Sequence, residues 1–131
     1  MAEQITNDGL DAVVKIIGGI VVVPDPFNYI AIGSDTGSVL PLAATNTALG
    51  AEFTDGTDAD RAQVTPTLES GHILQLQKTW TFTTTRNVSE IGIFNSPSAG
   101  TMLGRSIFSA YVCQNGDSFQ ITAKVTVSTT T

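Results

Sequence analysis

The stretch SEIGIFNSPSAGTMLGRSIFS, residues 89–109, decides the fold of this chain. Its first arm alternates isoleucine and glycine over residues 91–93, and its return arm carries the apolar pair Ile107 and Phe108. Both compositions are typical of strands that bury at least one face. Between the arms, residues 95–100 have the sequence NSPSAG, whose members tolerate the geometry of a turn. The stretch therefore predicts a β-hairpin at the centre of an all-β domain.

The composition indicates a single domain with few charges. A chain of 131 residues has room for one hydrophobic core, so residues 1–131 are expected to form one unit. Only 14% of the residues are charged, whereas globular proteins average about 25%. The net charge of −6 and the scattered positions of six basic residues argue against nucleic-acid binding, because phosphate neutralisation requires clustered Lys and Arg.

Neither a disulfide nor a membrane span is expected. The single cysteine, Cys113, ends an apolar strand and is predicted to be a buried thiol. The longest apolar run, residues 16–23, is shorter than the about 20 residues that cross a bilayer. The N-terminus lacks the basic start of a secretion signal. We therefore expect a protein that is made and folded in a cytoplasm.

The N-terminal region predicts the one substantial helix. Residues 1–6 form a polar arm that is expected to be either frayed or docked on a neighbouring molecule. Residues 7–18 follow the helical period, with Thr6 or Asn7 as the cap and glycine at the end. The helix is expected to pack through one apolar stripe. That stripe consists of Leu10, Val13, Val14 and Ile17.

The rest of the chain, residues 20–127, predicts a β-sandwich that is followed by an exposed tail at 128–131. Residues 20–23 suggest a short buried strand or connector, and residues 27–32 a strand covered on both faces. A short helical turn could start at Thr45 or Asn46.

Three further segments show strand patterns. Residues 62–68 contain Pro66, which favours a sheet edge. Residues 71–85 alternate apolar and polar side chains, with Leu74, Leu76, Trp80 and Phe82 on one face and a single interruption at Lys78. Residues 106–127 contain Asn115-Gly116, a strong hairpin signal. The predicted fold is mainly β, a single-domain antiparallel β-sandwich that is jelly-roll-like, with one short N-terminal α-helix.

Three motifs could suggest a ligand, and each has a simpler explanation. Residues 33–38, GSDTGS, resemble a phosphate loop but lack its lysine and spacing, so a turn is favoured. Asp55, Asp58 and Asp60 could bind calcium, but their spacing does not match an EF-hand, so a solvated acidic loop is favoured. His72 has no second metal ligand beside it. The sequence therefore predicts no metal site and no cofactor.

No catalytic constellation is predicted either. The single histidine lies in no nucleophile motif, and one sequence cannot place carboxylates in a glycosidase pair. Those carboxylates would be chosen from Glu52, Asp55, Glu69 and Glu90. If the hairpin pairs Ile91 with Gly104 and Phe94 with Thr101, Glu90 lies opposite Arg105. We expect a structural cross-strand ion pair there, worth about 0.2 to 1 kcal/mol if exposed. The chain is expected not to be an enzyme.

The order of several segments resembles the small β-rich virion proteins of tailed bacteriophages, a group labelled tail fibre, decoration or minor structural proteins. The resemblance rests on the helix at 9–17 and on four stretches that span nearly the whole chain. These are FNYIAIGSDTG, TNTALGAEF, SEIGIFNSPSAGTMLGRSIFS and GDSFQITAKVTV. It implies a sandwich module built into a particle, and it carries no catalytic residues.

The leading functional hypothesis is therefore a structural protein of a phage virion that is assembled in the host cytoplasm. Its most specific form is a capsid decoration or cement protein that stabilises the head shell. The expected partners are other copies of the chain, as a trimer or dimer, and a major virion protein such as the capsid protein. The alternatives are a tail fibre, collar or baseplate module, and a carbohydrate-binding domain. For the last, Trp80, Tyr29 and Tyr111 are all expected to be buried.

Overall fold

A computed structural model describes residues 2–20 and 22–128, and this part of the chain forms two antiparallel sheets and one helix. The elements in chain order are β1 (Ala2–Ile5), α1 (Asn7–Gly18), β2 (Tyr29–Gly33), β3 (Ala62–Gln63), β4 (Thr67–Ser70), β5 (Ile73–Thr81), β6 (Arg86–Phe94), β7 (Met102–Cys113) and β8 (Ser118–Thr126). One sheet has the order β1-β7-β6-β2-β3 and the other β4-β5-β8. The predicted mainly β sandwich with a short N-terminal helix is confirmed. Of the predicted tail at 128–131, only Ser128 lies within the described residues.

The β6–β7 hairpin lies at the centre of the larger sheet, as predicted, but its register differs from the predicted one. Ile91 pairs with Ser106 rather than Gly104, and Phe94 pairs with Met102 rather than Thr101. The register shifts between Val88 and Glu90 and again between Ile93 and Phe94, at irregularities that local alternation does not reveal.

The core fills the space between the sheets. Ile30 and Ile32 of β2 and Val88 of β6 face Leu76 and Trp80 of β5 across it. The alternation predicted for residues 71–85 is thus confirmed, since Leu76, Trp80 and Phe82 are buried, and Cys113 is buried as predicted. Because aliphatic and aromatic side chains meet from both sheets, this layer supplies the main hydrophobic stabilisation.

The predicted hairpin of β7 and β8 is wrong. β8 pairs with β5 in the other sheet, and residues 114–117 carry the chain across the sandwich. Two backbone hydrogen bonds fix this crossing segment to Phe82. The Gly116 N–H donates to Phe82 O at 2.7 Å, and the Phe82 N–H donates to Asp117 O at 2.9 Å. The crossing places the apolar face of β8 against the core from the opposite sheet. The single strand predicted over residues 62–68 is wrong, because the chain crosses from β3 in the larger sheet to β4 in the other, with Pro66 at this second crossing. The edge that Pro66 favoured is confirmed, since β3 and β4 are both edge strands.

The N-terminal arm pairs with its own chain. β1 extends the large sheet beside β7, from Ala2 opposite Ile107 to Ile5 opposite Gly104, so it is neither frayed nor docked on a neighbour. Thr6 then caps α1 by accepting a hydrogen bond from Gly9 N, and Gly19 ends it with a left-handed φ of 59°. The predicted bounds and cap of the helix agree with the structure.

Within the chain, α1 packs through a face that only partly matches the predicted stripe, since Val13 alone of the stripe packs against the core. The buried residues of α1 are Gly9 and Ala12, and they lie against β7 near Leu103. A Cβ atom at position 9 would lie 2.6 Å from Leu103 O, so only glycine permits this approach. Close packing through small residues turns Leu10, Val14 and Ile17 of the predicted stripe towards solvent.

Residues 34–61 connect β2 to β3 without a regular helix or strand. The short helix predicted from Thr45 or Asn46 is absent from these residues, because Asn46 instead folds its side chain onto Pro41 O and Ala43 N. Of the two alternatives for residues 20–23, the buried strand is wrong and the connector agrees with the structure, since Ile20, Val22 and Val23 are exposed and lie in no strand. Residue 21 lies outside the described residues.

Candidate functional site

Three ionisable side chains are buried together where the long 34–61 connection meets the large sheet. Arg105 of β7 lies 3.0 Å from Glu90 Oε1 of β6 and 3.1 Å from Asp35 Oδ2, and none of the three side chains is exposed to solvent. The same guanidinium group donates to Leu40 O at 2.8 Å and to Asn46 Oδ1 at 3.1 Å. One arginine therefore joins the hairpin to the connection at several points.

Backbone N–H groups complete the solvation of the two carboxylates. Glu90 accepts hydrogen bonds from Gly50 N at 2.9 Å, Ala51 N at 2.7 Å and Asp35 N at 3.2 Å. Asp35 accepts from three more backbone groups, those of Gly37, Val39 and Leu40. A buried cluster of one cation and two anions is tolerated because these dipoles replace water around the excess negative charge.

The pKa of Asp35 is lowered despite its burial. Burial alone would raise it, but the hydrogen bonds from the backbone of Val39, Leu40 and Gly37, together with the charge of Arg105, outweigh that effect. The carboxylate is therefore held in its ionised form.

This buried cluster links the central hairpin to the 34–61 connection from inside the fold. The predicted Glu90–Arg105 ion pair forms, but it is buried rather than exposed, and it is diagonal because Arg105 stands opposite Gly92 and Glu90 opposite Ile107. Its fully enclosed groups present no atom to a substrate. Asp35 and Asn46 were not predicted as members, since they lie 70 and 59 positions from Arg105 and no local pattern marks them.

A second arginine holds the acidic segment around Asp58. Arg86 donates to Asp58 at 2.7 Å and to Asp55 at 2.8 Å, and its guanidinium group lies 4.9 Å from the ring centroid of Phe53. Asp58 also accepts hydrogen bonds from the backbone and hydroxyl of Thr83. The predicted solvated loop is therefore wrong for Asp58, whose side chain is only 5% exposed.

The pKa values of Asp55, Asp58 and Arg86 are shifted in the directions that keep these ion pairs charged. The Thr83 N–H and the Arg86 guanidinium group lower the pKa of Asp58 far below its usual range, against the opposing effect of desolvation. Hydrogen bonding to Arg86 and Thr57 lowers the pKa of Asp55, and the two carboxylates in turn raise the pKa of Arg86.

A third arginine fixes the tip of the central hairpin. Arg61 forms a two-pronged contact with Glu52, at 3.0 and 2.7 Å, and donates to the carbonyl oxygens of Ser96 at 3.0 Å and Ala99 at 2.8 Å. Its guanidinium group also stacks 3.6 Å from the ring centroid of Phe94. The loop is thereby held although Ala99 adopts a φ of 49°.

The structure separates the residues that could have formed a ligand site. Within residues 2–20 and 22–128, no three His, Cys, Asp or Glu side chains are grouped so as to hold a metal ion. In the glycine-rich segment, the Gly37 N–H group donates to Asp35, as expected of a turn. The four carboxylates considered for glycoside cleavage each contact a basic side chain, and no two of them share one. Glu52 contacts Arg61, Asp55 contacts Arg86, Glu69 contacts Lys124 and Glu90 contacts Arg105.

An exposed apolar surface extends from α1 into the segment that follows it. We call it the N-terminal apolar surface. Its six side chains are Leu10, Val14, Ile17, Ile20, Val22 and Val23. Their exposure ranges from 50% for Ile20 to 81% for Ile17, which is unusual for so many neighbouring aliphatic residues. Sequence periodicity predicted the helical part of this surface as the stripe through which the helix packs, without identifying what it packs against.

A second exposed surface is polar and almost uncharged. It is the outer face of β5 and β8, which carries Gln77, Thr79 and Thr81 beside Gln120 and Thr122. Side-chain hydrogen bonds cross between the strands, from Gln77 Nε2 to Thr122 Oγ1 at 3.1 Å and from Gln120 Nε2 to Thr79 Oγ1 at 3.2 Å. The face is therefore an ordered array of hydrogen-bonding groups.

The aromatic residues differ in exposure. Trp80 is buried as predicted, and Tyr29 is partly buried. Tyr111 was predicted to be buried but is 59% exposed, between the rings of Phe108 and Phe119 at centroid distances of 5.8 and 5.7 Å. β1 pairs with β7 only over residues 104–107, so at Tyr111 the edge of β7 that faces away from β6 has no partner among the described strands.

Among the described residues, no helix is long and apolar enough to cross a membrane. Comparison with known proteins finds no family model that matches the chain and no curated protein with significant sequence similarity.

Proposed function

We propose that this chain is a non-enzymatic structural component of a tailed-bacteriophage virion, and that it decorates the head shell in many copies. The proposal combines the resemblance of its ordered segments to small virion proteins with the surfaces of the domain. Its partners are other copies of itself and the capsid protein. Its place is the virion, assembled in the host cytoplasm.

The observation that carries this proposal is the N-terminal apolar surface. Leu10, Val14 and Ile17 are exposed side by side on this small domain, and binding of another protein over them would be favourable because it removes apolar surface from water. The charged residues of the interior, in contrast, are used to hold the chain's own loops. Such a division suits a module whose activity is to make contacts.

The polar face of β5 and β8 offers a second, chemically different contact surface. Thr and Gln side chains donate and accept hydrogen bonds without the desolvation cost of full charges. Interfaces between proteins that meet after folding are about as polar as the general surface and contain ordered water. We assign this face to the shell.

Fractionation of particles tests the proposal. The chain is expected in purified heads, and heads stripped of it should lose resistance to heat or to low salt and regain it when purified protein is added back. Its absence from heads, or unchanged stability of the stripped shells, would contradict the decoration role. Recovery in the tail fraction instead would support the tail fibre, collar or baseplate alternative.

A pair of variants tests the assigned shell-binding face. Thr79→Glu adds a carboxylate to the centre of the polar face and is expected to weaken add-back to stripped heads by about tenfold or more. Thr47→Glu makes the same change at an exposed position in the 34–61 connection and should bind normally. Equal binding by both variants would show that this face does not contact the shell.

Tyr111 supports a second candidate function, carbohydrate binding. An exposed ring flanked by Phe108 and Phe119 is the kind of platform on which a sugar face packs. Under this alternative, a glycan array should give binding that Tyr111→Ala abolishes and that Val112→Ala, a change at the adjacent exposed residue, retains. No binding by the unmodified protein would exclude it.

A further inference from the structure

We propose that the N-terminal apolar surface is covered by the same surface of a second copy, with the two α1 helices packed antiparallel about a two-fold axis near Val14. The inference does not rest on a virion role, because the purified chain alone should form this dimer. It specifies the partner, the orientation of the helices and the residues that meet.

The size of the surface suits such a contact. Full burial of a Val, Leu or Ile side chain corresponds to roughly 60 to 120 Å² of apolar area, so six side chains exposed by half or more present on the order of 350 Å² on each copy. A standard interface buries about 800 Å² on each partner, of which somewhat more than half is apolar. The surface therefore supplies most of the apolar area that a stable dimer needs.

The charges beside the surface select a second copy in the antiparallel orientation. On one flank of the helix, Asp11 lies in the N-terminal half of α1 and Lys15 in its last turn, 2.8 Å apart. When two such helices run in opposite directions, each Lys15 comes beside the acidic half of the other copy. Parallel helices would instead place the two acidic halves at one end of the contact and the two Lys15 side chains at the other. The antiparallel orientation also opposes the two helix dipoles favourably.

The spacing of the apolar residues defines the register. Leu10 and Ile17 are equally far from the point between positions 13 and 14, so a two-fold axis there places Leu10 of each copy against Ile17 of the other. Val14 then lies beside the partner's Val14. A groove of about 600 Å³ adjoins the surface, lined on one side by Ile20 and residues 22–25 and on the other by the loop at 95–101. It leaves room for the first turn of the partner's helix.

Sedimentation analysis of the full chain tests the association. Protein at micromolar concentration is expected to sediment at twice the mass of the single chain. Val14→Glu places two carboxylates at the axis and is expected to weaken the dimer by roughly a hundredfold or more.

A matched variant separates this effect from a general one. Val39→Glu introduces the same carboxylate at a valine that is 73% exposed in the 34–61 connection, and it should dimerise normally. Both positions are exposed, so both variants should retain the thermal unfolding midpoint of the monomer. A chain that remains monomeric, or a dimer that tolerates Val14→Glu, would overturn the proposal.

Cysteine cross-linking tests the orientation. Val14→Cys is expected to form a disulfide-linked dimer under mild oxidation, whereas Leu10→Cys and Ile17→Cys should each cross-link poorly alone and efficiently when mixed. The native Cys113 is buried and should not compete. Efficient self-linking by Leu10→Cys would indicate parallel helices or a three-fold arrangement, and would overturn the antiparallel dimer.

Discussion

At the scale of single residues, Arg105 has the largest structural role among the basic side chains. Its guanidinium group contacts Glu90 in the neighbouring strand, and Asp35, Leu40 and Asn46 in the long connection. Lysine has a single nitrogen and could not reach these acceptors in several directions at once. The planar group of arginine is thus required by the geometry of the cluster.

Arg105→Ala is expected to destabilise the fold by about 3 to 5 kcal/mol, because Glu90 and Asp35 would remain buried without their cation. Urea denaturation followed by tryptophan fluorescence measures this, since Trp80 lies in the core. Lys124→Ala is the matched control. It breaks an exposed ion pair with Glu69 and should cost less than about 1 kcal/mol. Similar losses of unfolding free energy in the two variants would show that the buried cluster contributes no more to stability than an exposed ion pair.

The thiol of Cys113 is expected to be unreactive in the folded protein. Burial, and secondarily the charge of Asp117, raise its pKa, so little thiolate is present at neutral pH. Labelling with a thiol reagent should be slow in buffer and rapid in denaturant. Rapid labelling under native conditions would show that the end of β7 opens frequently.

At the scale of the elements, local patterns predicted individual strands well and their partners less well. The alternation over residues 71–85 predicted the buried face of β5, because a two-residue period identifies which side chains share a face. Asn115-Gly116 correctly indicated a reversal of the chain. A turn, however, fixes a local bend and not the sheet that receives the next strand, so the pairing of β8 with β5 could not be predicted from it.

The face of α1 and the buried cluster show a second limit of local patterns. An apolar stripe indicates which side chains avoid water, but Gly9 and Ala12 allow a closer approach to β7 than larger residues do. Glu90 and Arg105 were predicted to meet, since they lie on adjacent strands. Their burial depends on the 34–61 connection, which folds over them from a distant part of the sequence, and single-sequence patterns do not contain such contacts.

The tip of the central hairpin gives a prediction at this scale. Arg61→Ala removes the hydrogen bonds to the carbonyl oxygens of Ser96 and Ala99, and it should increase amide hydrogen exchange across residues 95–101. The amides of β5 lie in the other sheet and serve as the internal reference. Loss of charged hydrogen bonds should also lower stability by about 2 kcal/mol. Unchanged hydrogen exchange in the loop would mean that the loop is ordered without the hydrogen bonds from Arg61.

At the scale of the whole molecule, three arginines attach one long irregular connection to a small sandwich. Arg105 of β7 binds its first part through Asp35, and Arg86 of β6 binds Asp55 and Asp58 near its end. Arg61, its last residue, binds Glu52 within the connection and the carbonyl oxygens of Ser96 and Ala99 in the loop between β6 and β7. A connection of this length would otherwise be free to fluctuate. The folded state therefore depends on ionised carboxylates that are distributed along the connection.

This dependence predicts a specific acid sensitivity. The pKa values of Asp35, Asp55 and Asp58 are all lowered in the folded protein, so folding favours their ionised forms. Their contribution is fully present above the pKa of an unfolded aspartate, about 3.9, and is lost as the pH falls through the lower folded values. The titration of these groups should therefore leave the thermal unfolding midpoint unchanged between pH 7 and pH 5, and should lower it steeply below about pH 4.

Asp58→Asn tests which groups produce this fall. The amide cannot ionise, so the variant should be less stable than the natural chain at pH 7 and should lose less of its remaining stability on acidification. Asp25→Asn changes an exposed aspartate between two prolines and should follow the natural profile. Since Asp58 binds Thr83, between β5 of one sheet and β6 of the other, and Arg86 of β6, the difference between the variants should be seen in the unfolding of the whole domain. An Asp58→Asn profile parallel to that of the natural chain would place the acid sensitivity in other carboxylates.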